Sequence, residues 1–361
     1  MKETPVQERE LMVDIGTKRG VSNHTKEGVK IYERLVHPPR QFRKKIAKSL
    51  LKELQERIPE KKIWRIFEPG IGGGWLTLEL LSLVAHSHDD LQDLQIDLVG
   101  VDTCPQMLKY FVESMGGTNG ESDIEFPLES CFRNNSRLRV SLHNREAIEF
   151  VGQQPQNHCT EKYYDIVFCF FLLHHLDNWE TGLKQITSVL GEDGLIVVSE
   201  IQGDQAAWSA SFDKILRIDY RGAADARMKY IWSIKKFQEA CEEIGWYNYI
   251  PVTASSVASG LEWLENNGFK GVCTITAEYC KTVCLKDWCK AGGLEPLTNG
   301  DYQRVFSVFP VFDNDSERGS FKLKWREALG LEGQEFESFM RTEVGTCDKL
   351  VYYLYQREKH R

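Results

Sequence analysis

A chain of 361 residues, 42% hydrophobic and 27% charged, has the size and balance of one enlarged enzyme domain or two modest ones. Its net charge of −8 leaves no cation excess for a phosphate backbone, so nucleic acid is not an expected partner. Met1–Leu11 is charged, the longest apolar run is Ile166–Leu173, and the ten cysteines are scattered. Those features describe a cytoplasmic chain with reduced thiols, no export signal and no membrane partner.

The first 20 residues are polar. From Lys26 to Ile58 apolar residues recur at helical spacing, and Pro38-Pro39 must divide the run into two helices. The basic run Arg40–Lys45 falls inside that pattern and reads as a solvated helix face. Strands are predicted at Ile63–Phe67, Ile96–Val101, Leu138–Leu142, Tyr164–Phe171 and Leu195–Ser199. Helices are predicted at Trp75–Val84, Pro105–Met115 and Trp179–Leu190. The alternation implies a mostly parallel sheet with helices on both faces. Ser114–Arg137 reads as a surface insertion. Further on, a helix at Ser233–Ile244, a strand at Trp246–Val252 and a closing strand at Leu350–Tyr355 are expected. The expected organisation is a helical lid over 1–60, a core over 61–254 with a lid-forming segment near 205–232, an insertion or cap over 255–345, and the closing strand within 346–361.

Phe67-Glu68-Pro69-Gly70-Ile71-Gly72-Gly73-Gly74 falls between a strand and a helix. Glycines let the backbone approach a ligand closely, and the helix start behind them offers free N–H groups. A dinucleotide fingerprint would need a third glycine where Trp75 stands, at the position least tolerant of bulk. The other pattern, an acid followed by Gly-x-Gly-x-Gly, is met by Glu68, Gly70, Gly72 and Gly74.

This second pattern resembles the first motif of class I S-adenosylmethionine-dependent methyltransferases, and later segments resemble that family in the same order. Leu98–Asp102 ends the second strand in a carboxylate, followed by Thr103-Cys104-Pro105-Gln106-Met107. The resemblance implies that Asp102 accepts the ribose hydroxyls and that Met107 packs on adenine. Asn144, followed by Arg145, stands where the family carries an Asp that accepts the adenine amino proton; its amide oxygen can also accept. Tyr164–Leu176, with Cys169, Phe170 and the pair His174-His175, resembles the fourth motif. Val189–Val198 resembles the turn into the fifth strand. The implied fold is a Rossmann-like, mostly parallel seven-stranded sheet with a helical lid and a large insertion before the last strand. The implied cofactor set is Glu68, Gly70, Gly72, Gly74, Asp102, Thr103, Met107, Asn144, Arg145, Cys169 and Phe170, with S-adenosyl-L-methionine as cofactor.

Methyl transfer needs a nucleophile aligned behind the methyl carbon, and a base if that nucleophile carries a proton. His174 or His175, after the fourth strand, is the candidate base; helix capping or packing beneath a lid is the other reading. Tyr32, Trp208, Tyr220 and Trp232, with Tyr230, are candidate acceptor-binding aromatics or hydrophobic core. The fourth motif lacks the Asn/Asp-Pro-Pro-Tyr/Phe run that grips planar amines. Cys273, Cys280, Cys284 and Cys289 lack metal-ligand spacing, and Cys280 and Cys284 fit one helix face, so no metal is expected. The cap is architecturally similar to that of histamine N-methyltransferase and its relatives. The reading is a methyltransferase acting on a small molecule. A macromolecule methyltransferase and a catalytically silent cofactor-binding scaffold are the alternatives, and the oligomeric state stays open.

Overall fold

The computed structural model describes residues 25–86, 91, 93–115, 128–129, 137–153, 164–173, 176, 178–203, 233, 236–237, 239–241, 243, 251–298, 300, 312 and 314–358. Its centre is one sheet in the order β3-β4-β2-β1-β5-β6-β8-β7. The strands are β1 (Ile63–Pro69), β2 (Gln95–Asp102), β3 (Leu128–Glu129), β4 (Leu138–Asn144), β5 (Tyr164–Phe170), β6 (Leu190–Gly203), β7 (Phe269–Cys284) and β8 (Glu343–Arg357). The neighbours from β4 across to β6 are all parallel. β8 runs antiparallel between β6 and β7, and the two-residue β3 adds an antiparallel stub outside β4. Apart from that stub, this is the expected seven-stranded Rossmann-like sheet.

Buried-strand composition dictates the layers. Strands covered on both faces carry apolar residues in both directions, as Ile166, Val167, Phe168 and Cys169 do here. One face packs Trp64, Ile66, Ile96 and Leu98 against helix α2 (Arg40–Arg57) and helix α3 (Trp75–His86). These two supply Ile46, Ala47, Leu50 and Leu54, and Leu80, Leu81 and Val84. The other face packs Phe67, Val101 and Val167 against α5 (Ala147–Gly152), α6 (Trp179–Ser188) and α7 (Pro251–Asn266). Helix α4 (Pro105–Ser114) follows β2 and sends Leu108 and Phe111 into the first core.

Helix α1 (Lys26–Val36) starts at Thr25, whose hydroxyl accepts from the Gly28 N–H at 3.2 Å, and ends before Pro38. Its Ile31 and Leu35 join a third core with α8 (Leu285–Ala291), α9 (Asp315–Leu329) and α10 (Gly333–Arg341). An Arg34–Asp287 ion pair at 2.8 Å and bonds from Thr298 to Glu27 reinforce that union. The N-terminal helix and the C-terminal cap are therefore one packed body.

Three expectations change. Residues 251 and 252, expected to end a strand, begin α7, and the rest of 246–250 lies outside the described residues. The missing sheet strand is instead β7, so the segment 255–345 gives part of itself to the sheet. Its half-exposed alternation of small polar and apolar residues suits an edge strand and hid it from a search for helical spacing. Cys280 and Cys284 consequently lie on β7, not on a helix. Cys280 is disulfide-bonded and stands opposite Cys347 in the β7–β8 register, so the expectation of reduced thiols fails there. The expected lid segment near 205–232 lies outside the described residues.

Gly74 shows how tightly the turn after β1 is built. Its φ is +58°, and a Cβ there would stand 2.2 Å from the Phe111 ring of α4. Gly74→Ala is expected to lose about 1–3 kcal/mol of stability. A fall in urea midpoint at constant slope is the check, and an unmoved midpoint shows that the turn repacks at no cost.

Candidate functional site

The site stands where the strand order changes direction, at the carboxyl ends of β1, β2 and β5. There, neighbouring connections leave to opposite faces and open a crevice. Gly70, Gly72 and Gly74 all have positive φ, so the loop from β1 to α3 needs glycine at alternate positions. The loop is anchored to β2 by Gly70 and Ile71 N–H groups that donate to the Val101 carbonyl at 2.7 and 3.0 Å.

Asp102 faces this loop from the end of β2. Its Oδ2 accepts from the Gly72 N–H at 2.8 Å, and its Oδ1 accepts from the Cys104 N–H at 2.7 Å. Burial raises its pKa, and those two bonds pull it back. Each oxygen retains a further lone pair, the arrangement a vicinal diol needs. A Cβ at Gly72 would stand 4.0 Å from that carboxylate, on the surface the ligand must approach.

The other expected cofactor residues separate into groups. Asn144 donates its amide to the Asp102 carbonyl at 3.0 Å, which keeps the amide oxygen as an acceptor beside the site. Met107 is buried with Val29, Trp75 and Cys104. Glu68 points under the loop, where the Thr77 hydroxyl donates to it at 2.6 Å, and burial raises its pKa to about 8. Thr103 is exposed. Arg145 gives its backbone N–H to the Asp102 carbonyl, but its guanidinium turns away to Gln153. Cys169 and Phe170 lie on β5, on its two opposite faces. Cys169 is buried in one sheet core, and Phe170 stacks on Phe168 and meets Tyr352 edge-on against the other. His174, His175, Trp208, Tyr220, Tyr230 and Trp232 lie outside the described residues.

Tyr32 is brought to the site, in company that the sequence did not announce. Its ring stacks on Trp75 at 5.6 Å, and burial followed by the Asp102 charge pushes its pKa up to about 12. His37 lies on the other part of the Trp75 ring at 4.0 Å and reaches Phe171 at 5.9 Å. Phe171 has a φ of +53°, uncommon for a bulky residue, and turns the chain out of β5 within the fourth motif. Trp75, which breaks the dinucleotide fingerprint, is thus the platform of an aromatic cluster. The one clue to His37 was its place before Pro38-Pro39, where the helical pattern breaks.

Glu33 pins α1 over this cluster. It accepts from Arg43 of α2 at 2.7 Å and from the Tyr110 hydroxyl of α4 at 2.5 Å. Lys26 pairs with Glu113 at 2.9 Å on the same side. At the other end of α1, the Lys281 ammonium of β7 donates to the Leu35 carbonyl.

A glycine turn after the first strand, a carboxylate ending the second and this strand order together define a Rossmann-like nucleoside-binding domain. The chain belongs to the methyltransferase-domain family: the model described as "Methyltransferase domain" matches residues 39–249, more than half of its length. That family takes its methyl group from S-adenosylmethionine, and the chain is an S-adenosylmethionine-dependent methyltransferase. No curated protein sequence matches it significantly. Among solved structures it is similar to the YcgJ protein from Bacillus subtilis, at 11% identity and TM-score 0.43 over 88% of this chain and 99% of that one. The plantazolicin methyltransferase BpumL in complex with SAH is similar at 11% identity and TM-score 0.40, over 97% and 98% of the two chains. The MccD protein follows at 10% identity and TM-score 0.38, over 85% and 96%.

Two outcomes follow from this geometry. Asp102→Ala is expected to weaken S-adenosylhomocysteine binding by about 1–3 kcal/mol in calorimetry, since a buried diol would lose its acceptor. Unchanged affinity would place the ribose elsewhere. For Glu68, the folded chain keeps a proton that the unfolded chain loses near the ordinary value of 4.5. The cost of ionisation is absent below that value, grows with rising pH and levels off above about 8. Urea unfolding across that window should show Glu68→Gln gaining on the parent chain as pH rises. A constant difference would show that Glu68 is ionised in the fold.

Proposed function

We propose that the acceptor is a small molecule enclosed beneath α1. The observation that carries this reading is the closure of α1 over the glycine loop and the Trp75 cluster. Glu33 and Lys26 hold α1 from the core side, and the cap helices hold it from behind. A helix held on both sides gives a site walls in several directions, as the burial of a small ligand requires. An open groove for a polymer has no use for such a cover.

The cofactor supplies an electrophilic methyl group on a sulfonium. The chain's own residues do the remaining work. The loop from Gly70 to Gly74 gives close backbone approach, Asp102 offers the carboxylate for a diol, and the Asn144 amide oxygen offers an acceptor for an exocyclic amine. Tyr32 and Trp75 exclude water from the ground between the loop and α1. Holding the reactants in line in such a site can supply roughly 7–11 kcal/mol of barrier reduction.

The test is incubation of the full chain with methyl-labelled S-adenosylmethionine and a fractionated cell extract. Label is expected in a low-molecular-weight product, with rates reduced in Glu33→Gln as α1 loosens. Label found chiefly in RNA or protein, and removed by nuclease or protease, would overturn the small-molecule reading and leave the methyltransferase intact.

A further inference from the structure

We propose that His37 is the residue that binds the methyl acceptor through its reacting N–H or O–H group and takes that proton during transfer. This rests on the enclosed small-molecule site above.

The first observation is a missing partner. The His37 Nε2 is sealed from solvent and has no hydrogen-bond partner among the described residues. An unpaired buried polar atom costs about 1–3 kcal/mol and is rare enough in folded chains to call for a ligand. The second is location. The ring bridges Trp75, the first residue of α3 behind the glycine loop, and Phe171, the strained residue just after β5. Those two points bracket the ground between the cofactor loop and the mouth of the crevice. The third is rigidity. The His37 N–H caps α1 by donating to the Glu33 carbonyl at 3.0 Å, and Pro38-Pro39 fixes the chain immediately after it. A side chain so held meets a ligand without reorganising.

Its surroundings keep the ring neutral. Burial lowers the His37 pKa well below the usual imidazole range, and Arg43 and Lys281 add to that. The charged and titratable groups facing it are Tyr32 and Glu33 of α1, Arg43 of α2 and Lys281 of β7. Glu33 is committed to Arg43 and Tyr110. With the ring neutral, an ammonium-bearing acceptor gains no counter-charge from it, and a neutral one is favoured. Such an acceptor donates its N–H or O–H to Nε2. As its lone pair forms the bond to the methyl carbon, the carbon–sulfur bond breaks with its electrons left on sulfur. Where the acceptor is a hydroxyl or a non-basic N–H such as an amide's, alkylation makes the proton strongly acidic, and it passes to Nε2. A weak neutral base suffices for so acidic a proton.

The test compares the full chain with His37→Gln and His37→Ala, by calorimetry with S-adenosylhomocysteine and by methyl-label transfer into a small-molecule extract. All three are expected to bind S-adenosylhomocysteine with equal affinity. Gln accepts a hydrogen bond but no proton, so it should keep the half-saturating extract concentration and lower the maximal rate about 100-fold. Ala should change both, and added imidazole should restore part of its rate, which a merely structural role would not allow. The labelled product should pass a cation exchanger at neutral pH. Undiminished maximal rates in both variants overturn the proposal, as do loss of S-adenosylhomocysteine binding in the variants and a labelled product retained as a cation. The same loss in His174→Gln or His175→Gln, with His37→Gln unaffected, assigns the proton to that residue and also overturns it. An unmodified chain that binds S-adenosylhomocysteine but labels no small molecule overturns both this and the enclosed-acceptor reading. A chain that does not bind S-adenosylhomocysteine at all removes the cofactor reading beneath them.

Discussion

Asp102 holds two backbone N–H groups at once, one from the glycine loop and one from the start of the α4 turn. That double hold decides where everything else at the top of the sheet can go. It fixes the loop in a conformation only glycine tolerates, which brings the start of α3 and therefore Trp75 to a definite place. Trp75 in turn is the surface on which Tyr32 and His37 lie. The order of causes runs from a carboxylate to a loop, from the loop to an aromatic platform, and from the platform to the lid. Burial opposes the charge on Asp102, so the two N–H bonds are what keep an acceptor there at all.

The parallel half of the sheet was legible because buried strands and amphipathic helices write different periods. Each parallel strand, β1, β2, β4, β5 and β6, overlaps its predicted position, and Pro38-Pro39 divided the first two helices as expected. The cofactor loop was legible for a local reason, since positive φ at Gly70, Gly72 and Gly74 leaves glycine as a residue-by-residue signature. The edge strand β7 was not. Half of its surface faces solvent, so its alternation is polar and small, and its pairing with β8 comes from residues 59 to 88 positions away. Cys169 and Phe170 matched a motif by sequence order, but a strand buried on both faces points successive side chains into the two cores. His37 could not be seen because its role depends on contacts with α3 and the end of β5, which no local pattern records.

The start of the chain is also instructive about charge. The sequence shows a basic run at Arg40–Lys45 and an acidic chain overall. In the fold, Arg43 of that run is nearly buried and holds Glu33. What looked like a uniform solvated face has one member turned inward to fasten α1. A half-buried pair with a third partner in Tyr110 is worth more than an isolated surface pair, because the carboxylate's entropy loss is shared between two bonds.

The position of β8 has a consequence for how such a chain is made. Among the described residues β7 pairs only with β8, and β8 lies between β7 and β6. As the chain emerges from the ribosome, the parallel strands through β6 can assemble in the order of synthesis. β7 must wait, an unsheltered ribbon, until β8 has left the tunnel and slid in beside β6. The parallel half with the glycine loop can therefore form early, whereas the β7 edge is a late event that waits on β8.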